Sequence, residues 1–250
     1  MKAEKPFARK MYGSIPHLPG SKYGNKEDRG CPPGEAKLFI KKCKDGDKII
    51  VTEKLDGSSV AVAKKDGIIL ALNRAGYPCI SSPYTQHRYF SLWVEEKRCH
   101  FSDLLEEGEW ICGEWLAQAH GTIYELSPFR QPFVAFDMFR LTENNNSERL
   151  LYHEFTDRLY DIGGIPHVPI LWYDYTACSI ENAMKALGRN GHYGALEEAE
   201  GAVWRIEREG KCHSLAKYVR PEKIPGKYLE GGTGGKPIWN WLPKGGNGNE

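Results

Sequence analysis

Residues 58–74, SSVAVAKKDGIILALNR, set two apolar, β-branched runs on either side of Asp66-Gly67. Asp-Gly accepts the positive φ angles of a tight primed turn, and such a turn joins neighbouring strands antiparallel. Other segments follow the same logic. KIIVTEKLDG (48–57) is a β-rich run ending at a turn, and GAVWRIEREGKCHSLAKYV (201–219) reads as two strands around Arg-Glu-Gly-Lys. WICGEWLA (110–117), FVAFDMF (133–139) and PHVPILWY (166–173) read as further strands. Helices are fewer. Residues 153–164 stop at glycines, and the run from Ser179, a natural N-cap, ends near a glycine. The aromatic spacing of Tyr89, Phe90 and Trp93 favours helix within 84–106, while 141–150 reads as a polar loop. Repeats are absent. Many antiparallel strands with a few helices give an α+β fold.

The punctuation divides the chain. Residues 1–47, rich in Gly and Pro turns, are expected to be mostly ordered loop packed on the core. Residues 48–230 form the main domain, and 231–250 a Gly-rich flexible tail with Trp239 and Trp241 docked or exposed. With 34 basic against 33 acidic residues the net charge is +1, so bulk charge does not draw this chain to an acidic polymer. The distribution is uneven, however: residues 1–50 carry 12 basic and 6 acidic groups. Lys10, Lys22, Lys26, Arg29, Lys41, Lys42 and Lys44 make this a candidate polyanion-facing edge. No apolar run reaches the roughly 18 residues of a membrane span, and the start lacks a secretory signal, so a soluble, cytoplasmic protein is expected. Seven scattered cysteines without a C-x-x-C pair read as reduced thiols. The histidines, His17, His120 and His213 among them, show no ligand spacing.

Chemistry concentrates at Lys54-Leu55-Asp56-Gly57. Alone, a lysine beside a turn is an ordinary surface feature. Downstream come Asn73-Arg74, Gly113-Glu114-Trp115, Phe136-Asp137, Glu200-Gly201-Ala202-Val203 and Ala216-Lys217-Tyr218-Val219-Arg220. Each lies in or beside an expected strand, where a rigid sheet holds side chains at a common cleft.

This ordered series resembles motifs I, Ia, III, IIIa, IV and V of the covalent nucleotidyltransferases: ATP-dependent DNA ligases, RNA ligases and mRNA capping enzymes. It covers residues 50–220, and GEW, FVAFDMF, SIPHLPGS and AKYVRP look most like the RNA ligase branch. The resemblance implies an antiparallel-sheet adenylyltransferase domain of the ATP-grasp-like ligase type. It also implies an ATP-dependent RNA ligase joining 5′-phosphate and 3′-hydroxyl ends, with magnesium or manganese as cofactor. By this likeness Lys54 is the nucleophile that takes AMP, its amine deprotonated by nearby positive charge or desolvation. Lys217 contacts the α-phosphate and Glu200 holds the metal. Glu114 acts around the ribose or the metal's waters, Phe136 stacks on the purine, and Arg74 meets the nucleotide or the incoming nucleic-acid end. Glu53 offers its backbone to the base edge, while Asp56 and Gly57 shape the loop.

Departures leave alternatives open. Lys-Leu-Asp-Gly is closer to DNA ligases and capping enzymes, since phage RNA ligases of the second type often carry histidine at the place of Asp56 and asparagine at that of Ser59. The family's K-x-K is reduced to Lys217, so Lys217 and Arg220 compete for the phosphate. About thirty residues follow Val219, too few for an appended OB-fold, and a separate protein supplying RNA binding would fill that role. A DNA ligase, a capping guanylyltransferase or a silent nucleic-acid end-binding protein are the competing readings.

Overall fold

The computed structural model describes residues 4–126, 130–229 and 236–244. Its strands are β1 (Lys48–Lys54), β2 (Ser58–Lys65), β3 (Ile68–Asn73), β4 (Glu109–Trp115), β5 (Phe133–Leu141), β6 (Ser147–Arg149), β7 (Ile170–Asp174), β8 (Gly201–Arg208) and β9 (Lys211–Val219). The helices are α1 (Pro33–Ile40), α2 (Thr85–Glu96), α3 (Arg98–Leu104), α4 (Tyr152–Ile162) and α5 (Ile180–Leu187). The strands form two antiparallel sheets, ordered β7-β1-β8-β9 and β3-β2-β4-β5-β6. The fold is α+β, as the strand-rich sequence implies.

The turn chemistry holds in detail. Asp66 and Gly67 sit at φ 52° and 72°, and Lys65 pairs with Ile68 across a two-residue hairpin. Glu209 and Gly210, at φ 50° and 70°, repeat the device between Arg208 and Lys211. Ser179 caps α5 by accepting the Asn182 amide at 3.1 Å.

Side chains alternate across each strand, and this separates core from cleft. In the first sheet Ile49, Val51, Ala202, Trp204, Ile206 and Ala216 pack against Phe39 of α1 and Ala183 of α5. Their neighbours Ile50, Thr52, Lys54, Val203, Arg205, Leu215 and Lys217 line a cavity on the opposite face. The second sheet buries Val60, Val62, Ile111, Trp115 and Phe133 against Phe90 and Trp93 of α2 and Phe101 of α3. Each such side chain contributes about 1.5–3 kcal/mol on burial, so the helix-covered faces carry the fold and free the inner faces for polar groups.

Residues 4–47 are mostly loop and include one helix, α1, which Pro33 and Glu35 open. Phe7, Met11 and Tyr12 enter the second sheet's inner core, and residues 16–22 run along the free edge of β9. The polar stretch 141–150 contains β6, paired with Phe139–Leu141. Residues 236–244 form no free tail: Trp239 packs on Tyr89 at 5.1 Å and Trp241 on Trp115 at 5.4 Å, with backbone bonds to Ala117 and Ala119. The glycines at 231–235 lie outside the described residues. All seven cysteines are free, and among the described residues no helix is long and apolar enough to cross a membrane.

Candidate active site

The chain crosses from the first sheet to the second through Leu55-Asp56-Gly57, so Lys54 stands where the two sheets meet. This crossing is tightly pinned. The Asp56 carboxylate accepts the Gly121 amide and the Thr122 hydroxyl, both at 3.0 Å, and the Asp56 amide donates to the Tyr124 hydroxyl at 2.9 Å. The Gly57 amide donates to Glu114 Oε1 at 3.0 Å. A Cβ on Gly57 would lie 2.5 Å from the Trp115 carbonyl oxygen, so only glycine fits the crossing.

Above this loop lies a cavity of about 490 Å³, lined from both sheets and from residues 12–15. Lys54, Arg74, Glu114, Phe136 and Lys217 all line it. The Lys54 ammonium donates to Glu200 Oε2 at 2.5 Å, and its side chain keeps 23 % exposure. Lys54 pairs with Gly201 across β1 and β8, which puts Glu200 at the strand entrance beside it. A Cβ on Gly201 would lie 1.9 Å from the Tyr218 carbonyl oxygen, so this approach also requires glycine.

The electrostatics reverse one expectation. Burial pushes the Lys54 amine down, but Glu200, Glu114 and Asp56 outweigh it and hold its pKa above the ordinary lysine value. These neighbours favour the ammonium form of Lys54. The carboxylates show the complementary effect. Burial raises both Glu114 and Glu200 to about 7, against the pull of Lys54. Burial and the Lys54 charge lower the Lys217 amine.

Phe136 reaches the cavity through a β-bulge. Cys112 pairs with Asp137 and Gly113 with Ala135, so Phe136 is the extra residue. The bulge turns Phe136 and Asp137 to the same side, where strict alternation would separate them. Phe136 keeps an edge contact with Tyr12 at 4.9 Å between centroids. Behind it Asp137 is buried, accepting from Tyr12 at 2.8 Å and pairing with Arg205 at 2.7 Å and Arg149 at 3.0 Å.

Two candidates are committed elsewhere. The Glu53 side chain turns away from Lys54 and accepts the His192 amide at 2.7 Å, leaving only its backbone to the cavity. Arg220 does not line the cavity, because its guanidinium is held by Glu198 at 2.5 Å and by the Gly188 carbonyl. Of the two rivals for the phosphate, Lys217 is the one at the cavity. Arg74 sits at the rim, donating to the Gly13 carbonyl at 3.0 Å and to Ser14 at 3.2 Å.

Sequence reasoning missed Asp28, His17, His87 and His120. Asp28 pairs with Lys217 at 3.3 Å, and His87 and His120 line the cavity beside Ser58. No spacing marks them, since their partners in the site lie on distant segments.

Among the described residues no three His, Cys, Asp or Glu side chains are arranged to hold a metal by themselves. Magnesium instead takes one or two carboxylates together with substrate phosphates. Glu114 and Glu200, each held partly protonated by burial, are oxygen donors that a cation would relieve. The donor set fits a phosphate-borne magnesium or manganese ion.

None of the curated proteins matches this chain. Among solved structures, a Naegleria gruberi RNA ligase mutant with ATP and Mn aligns at TM-score 0.51 and 20% identity, over 70% of this chain and 50% of that one. A second mutant of that ligase, with AMP and Mn, aligns at 0.51 and 21% over the same shares. A third, also with AMP and Mn, aligns at 0.50 and 20% over 82% of this chain and 62% of that one. At such identities the likeness is one of fold, and the chain spans about half the length of the first of these ligases. The sequence model of the RNA ligase family matches residues 47–219, from the start of β1 to the end of β9, so the chain belongs to the RNA ligase family.

Proposed function

We propose that this chain carries the adenylyl-transfer chemistry of an ATP-dependent RNA ligase, with residues 48–230 as the catalytic body and 1–47 packed on it. The observation that carries the reading is the Lys54 ammonium, 2.5 Å from Glu200, in a cavity that also holds Phe136 and Lys217. A cavity of about 490 Å³ suits a nucleotide.

ATP binds with its base on Phe136 and its phosphates toward Lys54 and Lys217. Glu114 and Glu200 would hold the divalent ion, which supplies positive charge against the phosphate oxygens. A cation held there would offset the two carboxylate charges that do most to keep the proton on Lys54, and burial would then favour the free amine. Lys54 releases its ammonium proton to solvent, and the neutral amine attacks the α-phosphorus. A phosphorus–nitrogen bond forms with loss of a second N–H proton to solvent, and pyrophosphate leaves with the electron pair of the broken phosphoanhydride bond. Lys217, a cation at the cavity, stabilises charge on the phosphate oxygens. AMP then passes to a 5′-phosphate RNA end, and a 3′-hydroxyl displaces it to seal the strand.

Incubation with α-labelled ATP and magnesium tests the first step. The protein is expected to gain one AMP, and Lys54→Ala to gain none. Persistent labelling of Lys54→Ala would show that another group is the nucleophile.

A further inference from the structure

The segment ahead of β1 lines the cavity with Tyr12, Gly13 and Ile15 and meets Lys217 separately through Asp28. Residues 16–22 lie along β9, with the Lys217 amide donating to the Pro16 carbonyl at 2.9 Å and the Leu18 amide donating to the Lys217 carbonyl at 2.8 Å. The chain then turns so that Asp28 faces Lys217. Asp28 Oδ2 accepts the Gly24 amide at 2.8 Å and the Asn25 amide at 3.1 Å. Its other oxygen receives the Lys217 ammonium at 3.3 Å and faces His17 Nε2 at 3.3 Å. His17 is buried, and its Nδ1 lies 2.6 Å from the Ser21 hydroxyl, which accepts the Val219 amide at 2.9 Å. Ser21 and His17 thus pack between β9 and Asp28, with His17 Nε2 near Asp28 but not hydrogen-bonded to it, and Asp28 returns to β9 at Lys217.

This arrangement has more structure than a surface ion pair. Asp28 has only 9 % side-chain exposure, and two amides fix its carboxylate before Lys217 meets it. Burial would raise the Asp28 carboxyl, yet the Gly24 and Asn25 amides and Lys217 bring it down to about 2, so it stays ionised. Lys217 needs that partner, because burial and the neighbouring Lys54 both favour its neutral form. Two lysines in one cavity repel, and Asp28 is the carboxylate that meets Lys217 directly.

We propose that Asp28, fixed by the Gly24 and Asn25 amides, is a positioning residue that holds the Lys217 ammonium charged and in place at the cavity. The inference rests on reading Lys217 as the phosphate contact, and it makes residues 16–31 part of the nucleotide site. Asp28 touches no reacting atom and acts through Lys217 alone.

The test has two independent readouts. Single-turnover formation of lysyl-AMP at saturating ATP is expected to slow about ten- to hundredfold in Asp28→Asn, the size of a lost charge-assisted contact and a displaced cation. Asp28→Glu is expected to recover part of the loss. In a Lys217→Ala background, Asp28→Asn is expected to add no further loss. An unchanged rate in Asp28→Asn, or losses that multiply with Lys217→Ala, would overturn the proposal. Should Asp28→Asn fail to fold, Asp28→Ala carries the same comparison, with a loss that vanishes beside Lys217→Ala. The second readout needs no activity: NMR of ¹³Cε-labelled lysines, with Lys217 assigned through Lys217→Arg. Lys217 is expected to titrate at lower pH in Asp28→Asn than in the unaltered protein, and an unmoved titration refutes the role. Failure of the unaltered protein to form lysyl-AMP would sink the ligase reading, while the titration still decides whether Asp28 governs Lys217.

Discussion

At the scale of single residues, the cavity sorts its titratable groups by which neighbours they face. Lys54 meets Glu200, Glu114 and Asp56, which favour its ammonium form; the same burial beside a different neighbour drives His87 the other way. Burial first, and His120 second, lower His87 to about 4. Its ring is held between Ser82 at 2.7 Å and Ser58 at 3.0 Å, so the folded protein favours the neutral imidazole. The folded state then binds this proton more weakly than the unfolded chain, whose histidine titrates near 6.5. The contribution is full above about pH 6.5 and is lost as pH falls through that value toward 4, reaching at most about 3 kcal/mol. His87→Gln keeps polar atoms between the two serines and cannot titrate. Urea midpoints measured from pH 7.5 to 4.5 should therefore fall less steeply for His87→Gln than for the unaltered protein. Parallel curves would show that His87 carries no such linkage.

At the scale of elements, what could be read in advance depended on how local the determinant was. Asp66-Gly67 and Glu209-Gly210 fix their hairpins through their own positive φ angles, so both were legible. Ser179 at the start of α5 is equally local. Lys54, Glu114, Glu200 and Lys217 were legible because each is tied to a strand whose order and spacing a motif preserves. The bulge in β5 was not: alternation over FVAFDMF puts Phe136 and Asp137 on opposite faces, and only the two-against-one pairing with β4 turns both to the cavity. Asp28 and His17 were hidden for a related reason, since their partner Lys217 lies about 190 residues away in sequence. The bulge also makes a prediction. With Phe136 aimed at the cavity, Phe136→Ala removes a stacking surface worth about 1–3 kcal/mol, or about ten- to hundredfold in the Kd for ATP measured by calorimetry. A lowered melting temperature with unchanged ATP affinity would instead mark Phe136 as core.

At the scale of the whole molecule, the basic N-terminal segment does not act as one surface. The fold splits it. Lys22, Lys26 and Arg29 are exposed on the loop that borders β9, and the His17 amide donates to the Arg29 carbonyl at 2.8 Å, beside the Asp28 contact to Lys217. Lys41, Lys42 and Lys44 follow α1, which packs on the opposite face of the first sheet from the cavity. Cys43 there lies against the Tyr175 carbonyl at 3.2 Å. Because the net charge is only +1, affinity for RNA depends on where cations sit, not on their number. An RNA end brought to Lys54 along the β9 edge, as the proposed function requires, would pass the first group and not the second. Replacing Lys22, Lys26 and Arg29 together with Gln should weaken binding of a 5′-phosphorylated RNA and flatten the log–log salt dependence by about two. The same change at Lys41, Lys42 and Lys44 should leave both quantities close to those of the unaltered protein. Fluorescence anisotropy across a salt series reads both, and equal losses from the two triplets would mean that RNA meets the protein through diffuse charge, with no path along the β9 edge.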